Sequence, residues 1–448
     1  MNRYIAKNLV YHPIQYLRGQ RVKEYLTQVK KTQFMPLEEM NKLRDEKLKK
    51  IINYAYHTIP YYRKEFDDLG ILPEEIKGFE DLTILPVLSK REVLENKKSL
   101  TNPTIHQKLY TRTTSGSTGI NLQLKKEAKA LALNDAIMYR CYDWYGIDIG
   151  DKQVRFWGVP LTRILRWKEQ IKDFILNRIR ISVFDLSKTS CIKQYEKIKK
   201  FRPAYFYGYT SAICEFSRIM KESGIDLNTL NLKAVICTAE KMYPHHKKLL
   251  DEIFSCPIVD EYGSSEIGII AFQCRERNTH MMNDHLCIEL LDEKNKRVKP
   301  GEQGRIVITE LSSYAMPMIR YDIGDIGRPS EKKCTCGINL PLMEMVEGRK
   351  IDLIKTTEGK CVHANLLLYT LKDTAVHEYK MYQKAINKIH VQIVKSPLYT
   401  TESEKTLENK LRTVLGQEVK ITFEYLGVIP RELSGKLRFF VSELQSTV

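Results

Sequence analysis

Thr113-Thr114-Ser115-Gly116-Ser117-Thr118-Gly119 is the stretch on which the reading of this chain turns. It follows a strand-like run, Lys108-Leu109-Tyr110-Thr111. Its glycines let the backbone approach an anion closely, and its N–H groups and hydroxyls suit phosphate oxygens. No Gly-Lys-Ser/Thr closes it, so it is not a Walker loop. On composition alone the segment is either a phosphate cradle or a hydroxyl-rich surface linker.

Outward from this loop the chain reads as α/β. Residues 1–104 are polar and helical in period, and the amphipathic run at 37–56 is ended by Pro60. Between 105 and 350, short β-rich runs alternate with helical ones: a buried strand at 234–238, a helix at 247–254, a strand at 257–262 and another at 305–310. Residues 351–448 carry their own α+β pattern, with strand-like runs at 389–394 and 419–423 around a helix-like 402–415. A chain of 448 residues exceeds one compact core. The expected architecture is a large N-terminal domain of mixed sheets and helices, made of the leader 1–104 and the core 105–350, plus a small, mobile C-terminal domain, 351–448.

Lysine and arginine exceed aspartate and glutamate by 72 − 55 = 17. Such a surplus favours anionic partners, whether nucleotide, nucleic acid or lipid headgroup. The runs Lys47-Leu48-Lys49-Lys50 and Lys197-Ile198-Lys199-Lys200 read as solvated helix faces. There is no RNA-binding motif and no basic stripe interleaved with aromatics, so nucleic acid is not expected. No run of about 18 apolar residues suggests a membrane span, and the start of the chain lacks the pattern of a secretory signal. A cytoplasmic location follows as an expectation, with its ten cysteines free or metal-bound.

Four further segments accompany the loop, in this order: Glu261-Tyr262-Gly263-Ser264-Ser265-Glu266, Arg320-Tyr321-Asp322-Ile323-Gly324-Asp325, Gly348-Arg349-Lys350-Ile351-Asp352 and Ser434-Gly435-Lys436-Leu437-Arg438. With residues 113–119 the set resembles the adenylate-forming superfamily of acyl-CoA synthetases, peptide-synthetase adenylation domains and luciferases. Within it the chain looks most like the phenylacetate–CoA ligase branch and its capsule-cluster (CapK-type) relatives. The leader segments Tyr16-Leu17-Arg18-Gly19 and His57-Thr58-Ile59-Pro60-Tyr61-Tyr62-Arg63 are similar to that group as well.

The resemblance implies an AMP-binding core at 105–350 and a role for each matched residue. Thr114, Ser115, Gly116, Ser117, Thr118 and Gly119 hold the β- and γ-phosphates, with Thr114 also catalytic. Glu266 binds Mg²⁺, a hard cation suited to carboxylate and phosphate oxygens. Asp325 accepts hydrogen bonds from the ribose hydroxyls. Glu261, Tyr262, Gly263, Ser264 and Ser265 lie along the adenine and α-phosphate, together with Ala239 and Glu240. Arg349 sits near ribose and phosphates. Lys436 is the adenylation lysine, and Asp352 the hinge about which the small domain turns. Taken singly, each has a plainer reading as a turn, strand-end or loop residue.

Trp157, Gly158, Tyr207 and Gly208 match positions that bind the acid in relatives. Aromatic runs beside strands are also common core, and both glycines are equally packing glycines. Cys274 and His280, followed by Cys334-Thr335-Cys336-Gly337, offer four N/S ligands for a structural Zn²⁺, with His285 a rival for His280. Some relatives carry a similar four-ligand site. The implied activity is ATP-dependent activation of a carboxylic acid as acyl-AMP, followed by transfer to coenzyme A or to an amine in surface-polysaccharide synthesis. An aryl-acid CoA ligase of catabolism and a non-catalytic nucleotide-binding protein are the alternatives. The basic leader is also compatible with peripheral contact with the inner membrane face.

Overall fold

The computed structural model describes residues 1–113, 122–159, 163–183, 185–347, 353–358, 361–363, 367, 374–396, 398–427, 429 and 440–444. These fall into two compact units, one of 1–113, 122–150 and 259–347, the other of 151–258 with the described residues from 353 onward. The whole is mixed α/β, as the alternating periods indicated.

In the first unit the helix Leu37–Thr58 buries Met40, Leu48, Ile51, Ile52 and Ala55 at helical spacing. It stops at Ile59, which is extended ahead of Pro60, and Pro60 opens the next helix, Pro60–Leu69. Lys47 departs from the expected solvated face: it is half-buried and donates to the Asp284 carbonyl at 2.7 Å. Seven strands form an antiparallel ladder in the order Leu286–Leu291, Gly304–Glu310, Tyr321–Ser330, Leu342–Glu347, Thr279–Met281, Gly268–Gln273 and Ile258–Ser264.

The second unit has parallel strands in the order Arg178–Ser182, Gln153–Trp157, Tyr205–Tyr209 and Ala234–Thr238. Parallel neighbours need crossovers, and helices Lys188–Phe201, Thr210–Glu222 and Pro244–Ile253 lie in the intervening or following segments. Phe156, Phe206, Ile213, Phe216 and Cys237 are the centre of its core. All five residues of Ala234–Thr238 are buried, which is why this run carried no polar alternation. The C-terminal part has its own core of Met381, Val391, Ile393, Leu407 and Leu411. There, strands ordered Lys420–Tyr425, Lys388–Lys395, Val376–Ala385 and Phe440–Ser442 accompany the helix Thr401–Leu415. Thr400 caps that helix by accepting from the Ser403 N–H.

Candidate active site

Several expected site residues lie outside the described residues: Thr114, Ser115, Gly116, Ser117, Thr118, Gly119, Arg349, Asp352 and Lys436. The remainder divide between the two units.

In the first unit, Glu261 to Ser264 end the strand Ile258–Ser264, whose register with Gly268–Gln273 shifts between Tyr262 and Gly263. Gly263 is required there, because a Cβ would lie 2.5 Å from the Gly268 carbonyl oxygen. Ser264 Oγ accepts from the Ile267 N–H at 3.2 Å and holds the turn that carries Ser265 and Glu266. Glu266 is buried and has no ion pair among the described residues. A buried carboxylate in that condition suits a cation.

Asp325 comes to Tyr262 from the strand Tyr321–Ser330. Its register against Gly304–Glu310 shifts between Arg305 and Val307, and Gly324 has φ +79°. The irregularity lifts Asp325 out of the ladder, and the Tyr262 hydroxyl donates to its Oδ2 at 3.0 Å. Two residues 63 apart in sequence are thereby brought together. Arg320, at the start of this motif, has a structural task. It is buried at φ +50°, its guanidinium donates to Glu289 at 3.0 and 3.1 Å, and it also bonds the Leu85 carbonyl. Glu261 turns away from Asp325 and accepts from the Tyr142 hydroxyl at 3.0 Å, a partner that motif reading missed.

In the second unit, Glu240 follows Ala239, whose φ is +66°, and accepts from the Ser211 N–H at 2.7 Å and the Ser211 hydroxyl at 3.1 Å. Trp157 stacks on Tyr209 at 4.2 Å and on Tyr207 at 6.0 Å between ring centroids. The Arg155 guanidinium lies 4.5 Å from the Trp157 ring and 5.1 Å from Tyr207. Arg155 was not singled out from sequence, although alternation along Val154-Arg155-Phe156-Trp157 puts it on the Trp157 face. Phe156 points the other way, into the core. Gly208 permits close strand packing: a Cβ there would sit 2.3 Å from the Phe156 carbonyl oxygen. Gly158 is buried and its carbonyl accepts from Arg180 at 2.9 Å.

The ligand atoms of Cys274, His280, Cys334 and Cys336 all lie within 4.8 Å of one another, in the first unit. Cys274 and Cys334 sulfurs are 3.6 Å apart, and Cys336 Sγ is 3.3 Å from His280 Nε2. Such edges fit a tetrahedron with Zn–S near ~2.3 Å and Zn–N near ~2.0 Å. His280 Nδ1 faces the Leu340 carbonyl at 2.7 Å. A carbonyl only accepts, so Nδ1 carries the proton and Nε2 presents its lone pair to the cysteines. Burial alone would raise Cys334, but the Cys336 N–H and the Asn278 amide donate to its sulfur and bring it below the ordinary thiol value. His285 does not join this set; its ring faces Asp284 at 3.2 Å.

Residues 354–443 match a family model described as the CapK C-terminal domain. A phenylacetate-coenzyme A ligase of Thermus thermophilus is 22% identical, covering 90% of this chain and 96% of that protein. Another, from Aromatoleum evansii, is 27% identical over 71% of this chain and 72% of its own. Protein CapK of Staphylococcus aureus is 21% identical over 96% and 95%. Among solved structures, 2-hydroxyisobutyryl-CoA ligase in complex with 2-HIB-AMP and CoA aligns at a TM-score of 0.64. It is 20% identical, covers 92% of this chain and 91% of the other, and shows the shared fold.

Proposed function

From this kinship with phenylacetate-coenzyme A ligases and CapK, and from a fold shared with an adenylate-forming ligase, we propose that the chain activates a carboxylic acid with ATP and passes the acyl group to an acceptor. A carboxylate oxygen attacks the α-phosphorus, and the bond from that phosphorus to pyrophosphate breaks. A thiol or amine then attacks the acyl carbon, and AMP leaves. The observation that carries this reading is the Tyr262–Asp325 hydrogen bond, which joins two of the five motifs at one point. Asp325 then takes the ribose hydroxyls, and Tyr262, held by it, lies along the base.

Within this reading Thr114 to Gly119 cradle the phosphates, Glu266 takes Mg²⁺, and Arg349 neutralises phosphate charge. Ala239, Glu240, Glu261, Gly263, Ser264 and Ser265 complete the nucleotide contacts. Trp157, Gly158, Tyr207 and Gly208 belong to the acid site. Arg155 beside Trp157 and Tyr207 favours an acid with a second polar or anionic group. The domains are the leader 1–104, the core 105–350 and the small domain 351–448, turning at Asp352. The acceptor is coenzyme A or an amine. The location is cytoplasmic, and the charge surplus favours an anionic surface nearby. The test is a pyrophosphate-release screen of aryl, amino and uronic acids, with and without coenzyme A. Release with one class names the acid; nucleotide binding without release from any acid sinks the ligase reading in favour of a binding protein.

Cys274, His280, Cys334 and Cys336 would hold a structural Zn²⁺. Four protein ligands leave no open position for catalysis. The purified protein is expected to contain about one zinc per chain. Cys336→Ser should lose most of it and melt several degrees lower, while Cys256→Ser keeps it. Full stability after complete chelation would refute a structural zinc.

A further inference from the structure

The helix Arg163–Ile175 in the second unit is turned inside out. Its acidic residues face the protein: Asp173 is buried and accepts from Arg180 at 3.0 Å and from Arg178, while Glu169 pairs with Arg180. Its apolar residues face outward. Ile164 is 71% exposed, Trp167 63% and Phe174 70%, and Ile171 is exposed between them. These four stand at i, i+3, i+7 and i+10, which is one stripe along a helix. Exposed Arg166, Lys168 and Lys172 accompany the stripe.

Globular proteins do not ordinarily leave a Trp-Phe-Ile stripe in water without a partner for it. Ion pairs anchor the inner face, so the helix does not need its apolar side to hold its place. A second copy is a poor cover. Pairing two such faces would bring Arg166, Lys168 and Lys172 against their copies; Glu169 is already shared between Arg180 and Lys172 and Asp173 is buried, so the basic residues outnumber the acidic charge that could meet them. An anionic lipid surface satisfies both parts: the rings and Ile side chains enter the headgroup–acyl boundary, and the cations meet lipid phosphates. The excess of 17 positive charges over the whole chain adds long-range attraction of the same sign.

We propose that the helix Arg163–Ile175 is an interfacial helix that docks the protein on an anionic bilayer, with Ile164, Trp167, Ile171 and Phe174 as the inserted stripe. This is independent of the ligase reading, and its test needs neither ATP nor acid. The full chain is sedimented with phosphatidylglycerol vesicles and, as a control, with phosphatidylcholine vesicles. Wild type should pellet with the first, less so in high salt, and its tryptophan emission should shift to the blue. A Trp167→Glu/Phe174→Glu protein should bind those vesicles at least about tenfold more weakly while melting at the same temperature, since both side chains are exposed. Lys168→Glu/Lys172→Glu should lose the preference for the anionic lipid. Three results each overturn the proposal: wild type staying in the supernatant, Trp167→Glu/Phe174→Glu pelleting like wild type, or that variant only converting a dimer to monomers, which would assign the stripe to a second copy.

Discussion

Lys436→Ala should lower the rate of acyl-AMP formation by about 100- to 1000-fold while leaving ATP affinity within a few-fold of wild type. Attack on the α-phosphate gathers negative charge on the non-bridging and leaving oxygens. An ammonium placed there stabilises the transition state more than bound ATP, so its loss appears in the chemical step. In the proposed reading, Gly435 beside it would let the backbone come close to the nucleotide. The measurement is single-turnover release of pyrophosphate, together with nucleotide binding by titration. Thioester formation from supplied acyl-AMP should survive the substitution, because that step breaks the acyl carbon–oxygen bond and makes or breaks no bond at the α-phosphorus. Acyl-AMP appearing at the wild-type rate would remove Lys436 from the mechanism. Loss of ATP binding in parallel with rate would make it a binding residue.

The elements were legible where the signal was local. Strands at 234–238 and 305–310 are apolar runs closed by turn residues, and Ala234–Thr238 and Gly304–Glu310 stand where those runs do. Pro60 marked the end of Leu37–Thr58 because it restricts the residue before it. The motifs at 261–266 and 320–325 were legible as residue patterns, but their contact was not. Tyr262 meets Asp325 only because of the strand order and the register shift beside Gly324, which no window around either residue encodes. The same holds for Tyr142 with Glu261, 119 residues apart. The choice of His280 over His285 turned on pairing: Thr279–Met281 lies between Gly268–Gln273 and Leu342–Glu347, which sets His280 beside the Cys334 turn. The proposed acid site stayed hard to read because Trp157 and Phe156, neighbours of similar chemistry, face opposite ways.

The largest stability effect is expected at Asp284. This carboxylate is buried in the first unit and binds Arg140, itself wholly buried, through both terminal guanidinium nitrogens. Thr32 donates to it at 2.6 Å, and Arg140 also donates to the Val29 carbonyl at 3.2 Å. The cluster thus ties the helices Val22–Thr32 and Ala128–Asp143 to the segment before Leu286. Asp284→Asn keeps the shape but leaves the Arg140 charge uncompensated in the interior. That should cost about 3–5 kcal/mol, read as a melting temperature roughly 10 °C lower. Burial, the largest single influence, would raise the Asp284 carboxyl; the Arg140 charge and the hydrogen bonds from His285 and Arg140 together outweigh it and hold the group well below the usual carboxylate range. A depressed carboxylate contributes stability that is fully present above its unfolded value, near ~3.9, and is lost as pH falls through the folded value. Asp284 also supports the protonated ring of His285, so the gap between variant and wild type should stay constant above about pH 6.5, widen as the pH falls through the folded His285 value, and narrow only below about pH 4. His285, held below its ordinary value by burial against the opposing pull of Asp284, is stable as the neutral ring. Folding loses ground as soon as the unfolded chain binds that proton, so wild type should begin to lose stability below about pH 6.5. Denaturant melts of both proteins across this range separate the two limbs. A gap that opens or closes above about pH 6.5, or a variant as stable as wild type, would mean that the Arg140–Asp284 pair does not hold the first unit together.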